Sequence, residues 1–185
     1  MSGAQPTRRP AASACSIRAA TVGVETLIQP FTPPERWTSA AGVDGVAEEL
    51  AAAAEAARRH GLRVGYHNHQ WELATRIEGR SALEHLPPEV ALELDTYWAA
   101  AAGEDVPDLL ARLGDRVRLL HLKDGPISED TSAQLPLGAG AMPVAAVLEA
   151  ATAAELEVLE FDDYAGDLFE GLAAGRAFAD GLGVR

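Results

Sequence analysis

From about Ala20 onward, short apolar runs alternate with Ala-rich amphipathic stretches. Five runs are rich in Val, Leu, Ile and other strand formers: residues 22–30 (VGVETLIQP), 62–69 (LRVGYHNH), 89–95 (EVALELD), 116–124 (RVRLLHLKD) and 155–163 (ELEVLEFDD). Each predicts a strand. Residues 43–61 predict a strong helix. Its interior is Ala, Glu, Leu and Arg, Glu48 and Glu49 lie early, Arg58, Arg59 and His60 lie late, and Gly61 supplies a stop. Residues 106–114 predict a second helix closed by Gly114, residues 143–154 a third with Pro143 in its first turn, and residues 167–181 a last one. A short helix is expected near 81–85, and a Gly/Ser/Pro-rich loop over 125–142. Residues 1–20 carry no sustained period and read as a poorly ordered tail ahead of one domain over 21–185.

Strands alternating with helices imply βαβ units: an α/β chain with a parallel sheet, right-handed crossovers and helices outside. Polar residues gather at the C-terminal ends of the runs. Tyr66, His67, Asn68 and His69 end the second run, and Asp95 the third, with Thr96, Tyr97 and Trp98 following. His121, Lys123 and Asp124 end the fourth, and Glu160, Asp162 and Asp163 the fifth. Ligands of α/β sheets bind at these carboxyl ends. Side chains two apart share a strand face. One register then aims His67, Asp95, His121 and Glu160 into a common interior, with Val117, Leu119 and Lys123 on the face of His121. Two imidazoles and two carboxylates from neighbouring strands point to one divalent cation, from among Mn, Co, Mg, Fe and Zn rather than Ca. Such an ion polarises a carbonyl or hydroxyl and stabilises an enediolate.

Composition narrows the setting. At 185 residues, 48% apolar and 23% charged, the chain reads as an ordinary globular protein. Fifteen Lys and Arg against 28 Asp and Glu leave a net charge of −13. That balance argues against nucleic acid and against an anionic membrane surface as partners. Cys15 is the single cysteine, which excludes an internal disulfide framework and thiolate-built zinc sites. No apolar run is long enough to span a bilayer, and a reducing, cytoplasmic setting is expected.

The segments GYHNHQWEL, LELDTYW, LLHLKD, PLGAGAMP and VLEFDD, in that order, closely resemble the sugar phosphate isomerase/epimerase family with the xylose-isomerase-like TIM barrel, in its Tyr-His-Asn-His subgroup. The resemblance covers about residues 20–182. It implies a partial (β/α)8 barrel, about strands four to eight with outer helices, since a whole barrel needs eight strands. It places Asp95, His121 and Glu160 on the metal positions of strands six to eight, and His67 where many relatives carry a strand-five glutamate. That glutamate often doubles as acid/base, so His69 and Glu72 are the substitutes here, with His69 the first choice. Lys123 is expected to contact a substrate oxygen or stabilise developing negative charge. Tyr97 and Trp98 read either as core or as a stacking surface for a sugar, and Arg36 and Trp37 as loop residues that could contact substrate. Gly138-Ala139-Gly140 lacks a phosphate-binding pattern and reads as a lid or turn.

The implied function is metal-dependent isomerisation or epimerisation of a sugar or keto-sugar through an enediolate, with Glu160 also taking part in catalysis. A dehydratase of the inosose type on the same scaffold is the alternative, as is a catalytically inactive, truncated barrel fragment. The expected partner is a small sugar or polyol. Five strands leave two open edges, so pairing with a second copy is also expected.

Overall fold

A computed structural model describes residues 19–183. Each of the five apolar runs yields one strand, shorter than the run. They are β1 (Thr26–Gln29), β2 (Arg63–His67), β5 (Ala91–Asp95), β6 (Val117–Leu122) and β7 (Leu156–Leu159). All pair in parallel in the order β1-β2-β5-β6-β7. The intervening β3 (Arg76–Ile77) and β4 (Arg80–Ser81) form a separate antiparallel hairpin. The sheet curves into a half-barrel. Arg63 on β2 reaches Glu155, beside β7, with contacts of 2.9 and 2.6 Å. A flat sheet would hold those two strands about 14 Å apart.

Helix α1 (Ala40–Arg58) begins earlier than the apolar period suggests, because Ser39 caps it by accepting from the Gly42 N–H at 3.2 Å. Its Val43, Val46, Leu50, Ala54 and Ala57 are buried, the three-and-four spacing of a face laid on the sheet. α4 (Val106–Leu113) is capped by Asp105 and closed by Gly114 at φ 55°, as the sequence suggests. α5 (Val144–Ala150) is shorter than expected. Pro143 sits at its N-cap, and residues 151–154 turn back to feed β7. α6 (Leu168–Gly181) opens on an Asp167 cap and buries Gly171, Gly175 and Ala179. A methyl group at Gly175 would stand 3.2 Å from both Leu137 and Leu159, so the missing side chain allows the close approach.

Two short helices were not legible in the sequence. α2 (Gln70–Ala74) and α3 (Thr96–Ala101) start one to three residues beyond the ends of β2 and β5. The short helix expected near 81–85 is a 3₁₀ turn over Ala82–His85. The core lies between the sheet's outer face and the helices, where Val64, Tyr66, Leu92, Leu94, Leu120 and Leu122 are buried.

One parity expectation fails locally. β5 and β6 are in register at Leu92–Val117, then at Glu93–Leu119. Arg118 is the extra residue of this bulge, so Val117 falls with the outer, core-facing side, while Leu119 and His121 keep the inner one. The expected tail lies outside the described residues except for Ala19 and Ala20, which are helical. Among the described residues, no helix is long and apolar enough to cross a membrane.

Candidate metal centre

β2, β5 and β6 are adjacent, and parallel register brings their C-terminal ends level. His67, Asp95 and His121 therefore converge, with one ligand atom from each lying within 4.8 Å of the others. Asn68 locks the strand ends together. Its side chain accepts from the Asp95 N–H at 3.0 Å and donates to the Asp95 carbonyl at 3.3 Å.

The two oxygens of Asp95 do different work. Oδ1 caps α3 by accepting from the Trp98 N–H at 3.0 Å. Oδ2 is buried and accepts no well-aligned hydrogen bond. It lies 3.8 Å from His67 Nε2 and 2.7 Å from the Lys123 ammonium. A buried anionic oxygen beside two imidazoles is a donor set of the kind that transition-series divalent cations take. The residues present fit such an ion.

Glu93 shares the inner face with Asp95, and parity alone could have singled it out. Its Oε2 lies 3.2 Å from His67 Nδ1 and 3.4 Å from His121 Nε2. Burial raises its pKa, but the hydrogen bonds from His121 and His67 outweigh burial and hold it at about 2. His121 is opposed by burial in the same way, yet Glu160 and Glu93 raise it to about 9. Glu160 lies just past β7 and is not one of the three converging ligands. Its Oε2 sits 2.5 Å from His121 Nδ1 and 2.9 Å from Lys123, and its bond to His121 lowers its pKa to about 2.

Lys123 is buried, 2% exposed. Nζ lies 2.7 Å from Asp95, 2.9 Å from Glu160 and 2.8 Å from Asp162. Burial works against its charge, but the three carboxylates raise its pKa overall. The lysine neutralises the acidic floor of the site rather than reaching into it.

His69 stands at the mouth. Its ring stacks on Trp71 at 4.4 Å and meets His67 edge-on at 5.3 Å and Phe31 edge-on at 5.7 Å. Burial, with the charges of His67 and Lys123, lowers its pKa to about 4, so it is neutral at pH 7. Glu72 is wholly buried and committed. It accepts from the Tyr66 hydroxyl at 2.7 Å and from the His69 N–H at 2.8 Å, closing the first turn of α2. Burial raises its pKa.

The aromatic and loop residues expected near substrate are placed elsewhere. Trp37 is fully buried against Tyr66, with ring centroids 5.3 Å apart. Tyr97 is fully buried, and its hydroxyl accepts from the Ser128 N–H at 3.1 Å. The Trp98 ring packs edge-on against Tyr97 at 5.7 Å. Arg36 pairs with Glu49 of α1 at 3.3 Å. Large apolar side chains near strand ends were drawn into the layer between sheet and helices, which periodicity near a loop does not reveal. Exposed Phe31, just after β1, takes the place beside His69 and Trp71.

Comparison with known proteins agrees with this fold. A stretch of 69 residues, 36% of this chain, is 41% identical to an inosose dehydratase of Mesomycoplasma hyopneumoniae (strain 7448) and spans 23% of that protein. A sugar phosphate isomerase/epimerase from Parabacteroides distasonis ATCC 8503 superposes with a TM-score of 0.76 at 21% identity, covering 91% of this chain and 63% of that one. A Thermus thermophilus protein, soaked with zinc chloride, superposes with a TM-score of 0.62 at 21% identity, covering 92% of this chain and 66% of that one. The chain thus spans less than two-thirds of the length of each of these relatives. Residues 9–161 match a single family description, and with five parallel strands, outer helices and a polar cluster at the strand ends, the chain belongs to the xylose isomerase-like TIM barrel family.

Proposed function

We propose that this chain is a divalent-metal-dependent enzyme that isomerises or epimerises a sugar or keto-sugar by moving a proton next to a carbonyl. The observation that carries this reading is the convergence of His67, Asp95 and part-buried His121, with Asp95 Oδ2 accepting no well-aligned hydrogen bond though the Lys123 ammonium lies 2.7 Å away. Those three residues would hold the ion, and the bound ion supplies positive charge that stabilises negative charge on substrate oxygens. A solved neighbour described with a bound zinc atom, superposing with a TM-score of 0.64 at 14% identity, supports such an ion on this scaffold.

His69 is the proposed base. It is neutral at pH 7, next to His67, and faces the mouth of the site. Phe31 and Trp71 pack around its ring and offer an apolar wall for the C–H face of a polyol. Lys123, Glu93 and Asn68 act through the ligands by fixing their charge and orientation.

The dehydratase reading is the second choice, favoured by the 41% identity over 69 residues with an inosose dehydratase. Both start with removal of a proton next to a carbonyl, and they part when a β-hydroxyl leaves. The test is incubation with a panel of keto-sugars and a keto-inositol in deuterated water, with Mn²⁺ present. Deuterium incorporation without mass loss marks an isomerase or epimerase, and loss of water marks a dehydratase. Neither signal on any member, or an Asp95→Ala variant that binds Mn²⁺ as the parent does, overturns the proposal.

A further inference from the structure

A second network crosses the ends of β6 and β7, and none of the function above uses its outermost member. Asp124, 1% exposed, pins the loop 125–142. Its carboxylate accepts from the N–H groups of Gly125 at 2.8 Å, Gly138 at 2.9 Å and Met142 at 3.0 Å. A bridge between Asp124 and Leu135 adds a fourth tie. From this fixed loop comes Gln134, also 1% exposed. Its Nε2 donates to Asp162 Oδ2 at 2.8 Å, and its Oε1 accepts from the Asp162 backbone N–H at 2.8 Å. Both ends of the carboxamide are engaged with one residue, so its orientation is set.

The other oxygen of Asp162 takes the Lys123 ammonium at 2.8 Å. That ammonium also touches Asp95 and Glu160. β7 ends at Leu159 and, among the described residues, has no strand on its outer side. Glu160 keeps one tie to β6, its N–H donating to the Leu122 carbonyl at 3.2 Å, whereas Asp162 lies past it and is held from the loop. Gln134 holds Asp162, from a loop anchored to β6.

We propose that Gln134 is a positioning residue: its carboxamide fixes Asp162, which shares the Lys123 ammonium with Asp95 and Glu160 and so weakens the ammonium's hold on Asp95 Oδ2, the oxygen a cation needs. The inference rests on the reading of His67, Asp95 and His121 as a metal centre. Without Gln134, Asp162 turns toward solvent, and Lys123 is shared by Asp95 and Glu160 alone. It then competes more strongly for the oxygen that the ion needs. Outer-shell partners of metal ligands typically change metal affinity by about 10- to 100-fold.

The experiment is a calorimetric titration of the full chain with Mn²⁺ alone, on the parent, Gln134→Leu, Asp162→Ala and the double variant, with an unfolding midpoint for each in chelator. The expected result is affinity about tenfold weaker in each single variant, no further loss in the double variant, and metal-free midpoints lowered by the broken buried hydrogen bonds but well above the titration temperature. Gln134→Asn, too short to reach, should match Gln134→Leu. If Gln134→Leu fails to fold, Gln134→Asn and Asp162→Ala carry the comparison. Parent-like affinity in the Gln134 variants, or additive losses in the double variant, overturns the proposal. Asp95→Ala is run alongside. Parent-like binding there sinks the metal centre and this inference together, whereas lost binding there with unaltered Gln134 variants sinks this inference alone.

Discussion

At Asp95 one side chain ends a strand, starts a helix and faces the proposed cation site. Oδ1 is spent on the Trp98 N–H, so the geometry of α3 aims Oδ2. His121 couples the site to pH. Its pKa rises from 6.5 to about 9 through Glu160 and Glu93, against the pull of burial. A raised pKa means the folded state holds the proton more tightly. The stability that follows is fully present below about 6.5 and is lost as pH climbs through about 9. The destabilisation by His121→Gln should therefore be largest at pH 6 and shrink toward pH 9 in chelator, as urea midpoints would record. A cation needs the imidazole deprotonated. Mn²⁺ affinity should accordingly climb with pH and level off near pH 9, and a flat profile would mean that His121 is not a ligand. Tyr66 and Glu72 form the counterpart on the core side. Tyr66→Phe leaves a fully buried carboxyl oxygen without its donor, which costs about 1–3 kcal/mol of stability by chemical denaturation.

At the scale of elements, the strands and long helices were legible because burial on one side writes a period into the chain. The helix over residues 43–61 was recognisable from its Ala, Glu, Leu and Arg interior, although only the Ser39 cap shows where it begins. α2 and α3 were not legible, since each is too short to show a full period and starts close to the end of a strand. Gly138-Ala139-Gly140 reads as a lid or turn, yet one buried carboxylate ties down three amides of the loop 125–142 that holds it. Asp124→Ala should cost about 3 kcal/mol, since hydrogen bonds to a charged group are among the stronger ones. Amide exchange at Gly138 and Met142 should rise well above the parent's, and unchanged exchange there would show that the loop is held by something else.

For the whole molecule the open edges dominate. Among the described residues, β1 and β7 each pair on one side only, whereas β5 sits at the centre of the sheet. Hydrogen exchange should be slowest in β5 and its neighbours and fastest in β1 and β7, because edge amides open without disrupting the rest. Apolar groups near the β7 edge add to its exposure. Leu156 is 51% and Phe169 81% exposed. The proposal that these edges pair with a second copy predicts concentration-dependent association in sedimentation velocity. With each chain at −13, added salt should strengthen it. A monomer at every salt and protein concentration would end that reading.

The sequence by itself determined the alternation of strands and helices, the polar ends of the strands and the face that carries His67, Asp95 and His121. These follow from a period of two and from hydrophobic burial, which are local properties of the chain. Tertiary structure alone decided which polar groups became partners. It placed Glu93 between the two imidazoles, sank Lys123 beneath three carboxylates, sent Trp37 and Tyr97 into the core, and brought Gln134 from a distant loop onto Asp162. Those outcomes depend on strand register, on one bulge at Arg118 and on the curvature of the sheet. Each is a long-range fit between segments far apart in the chain, and no local pattern encodes it.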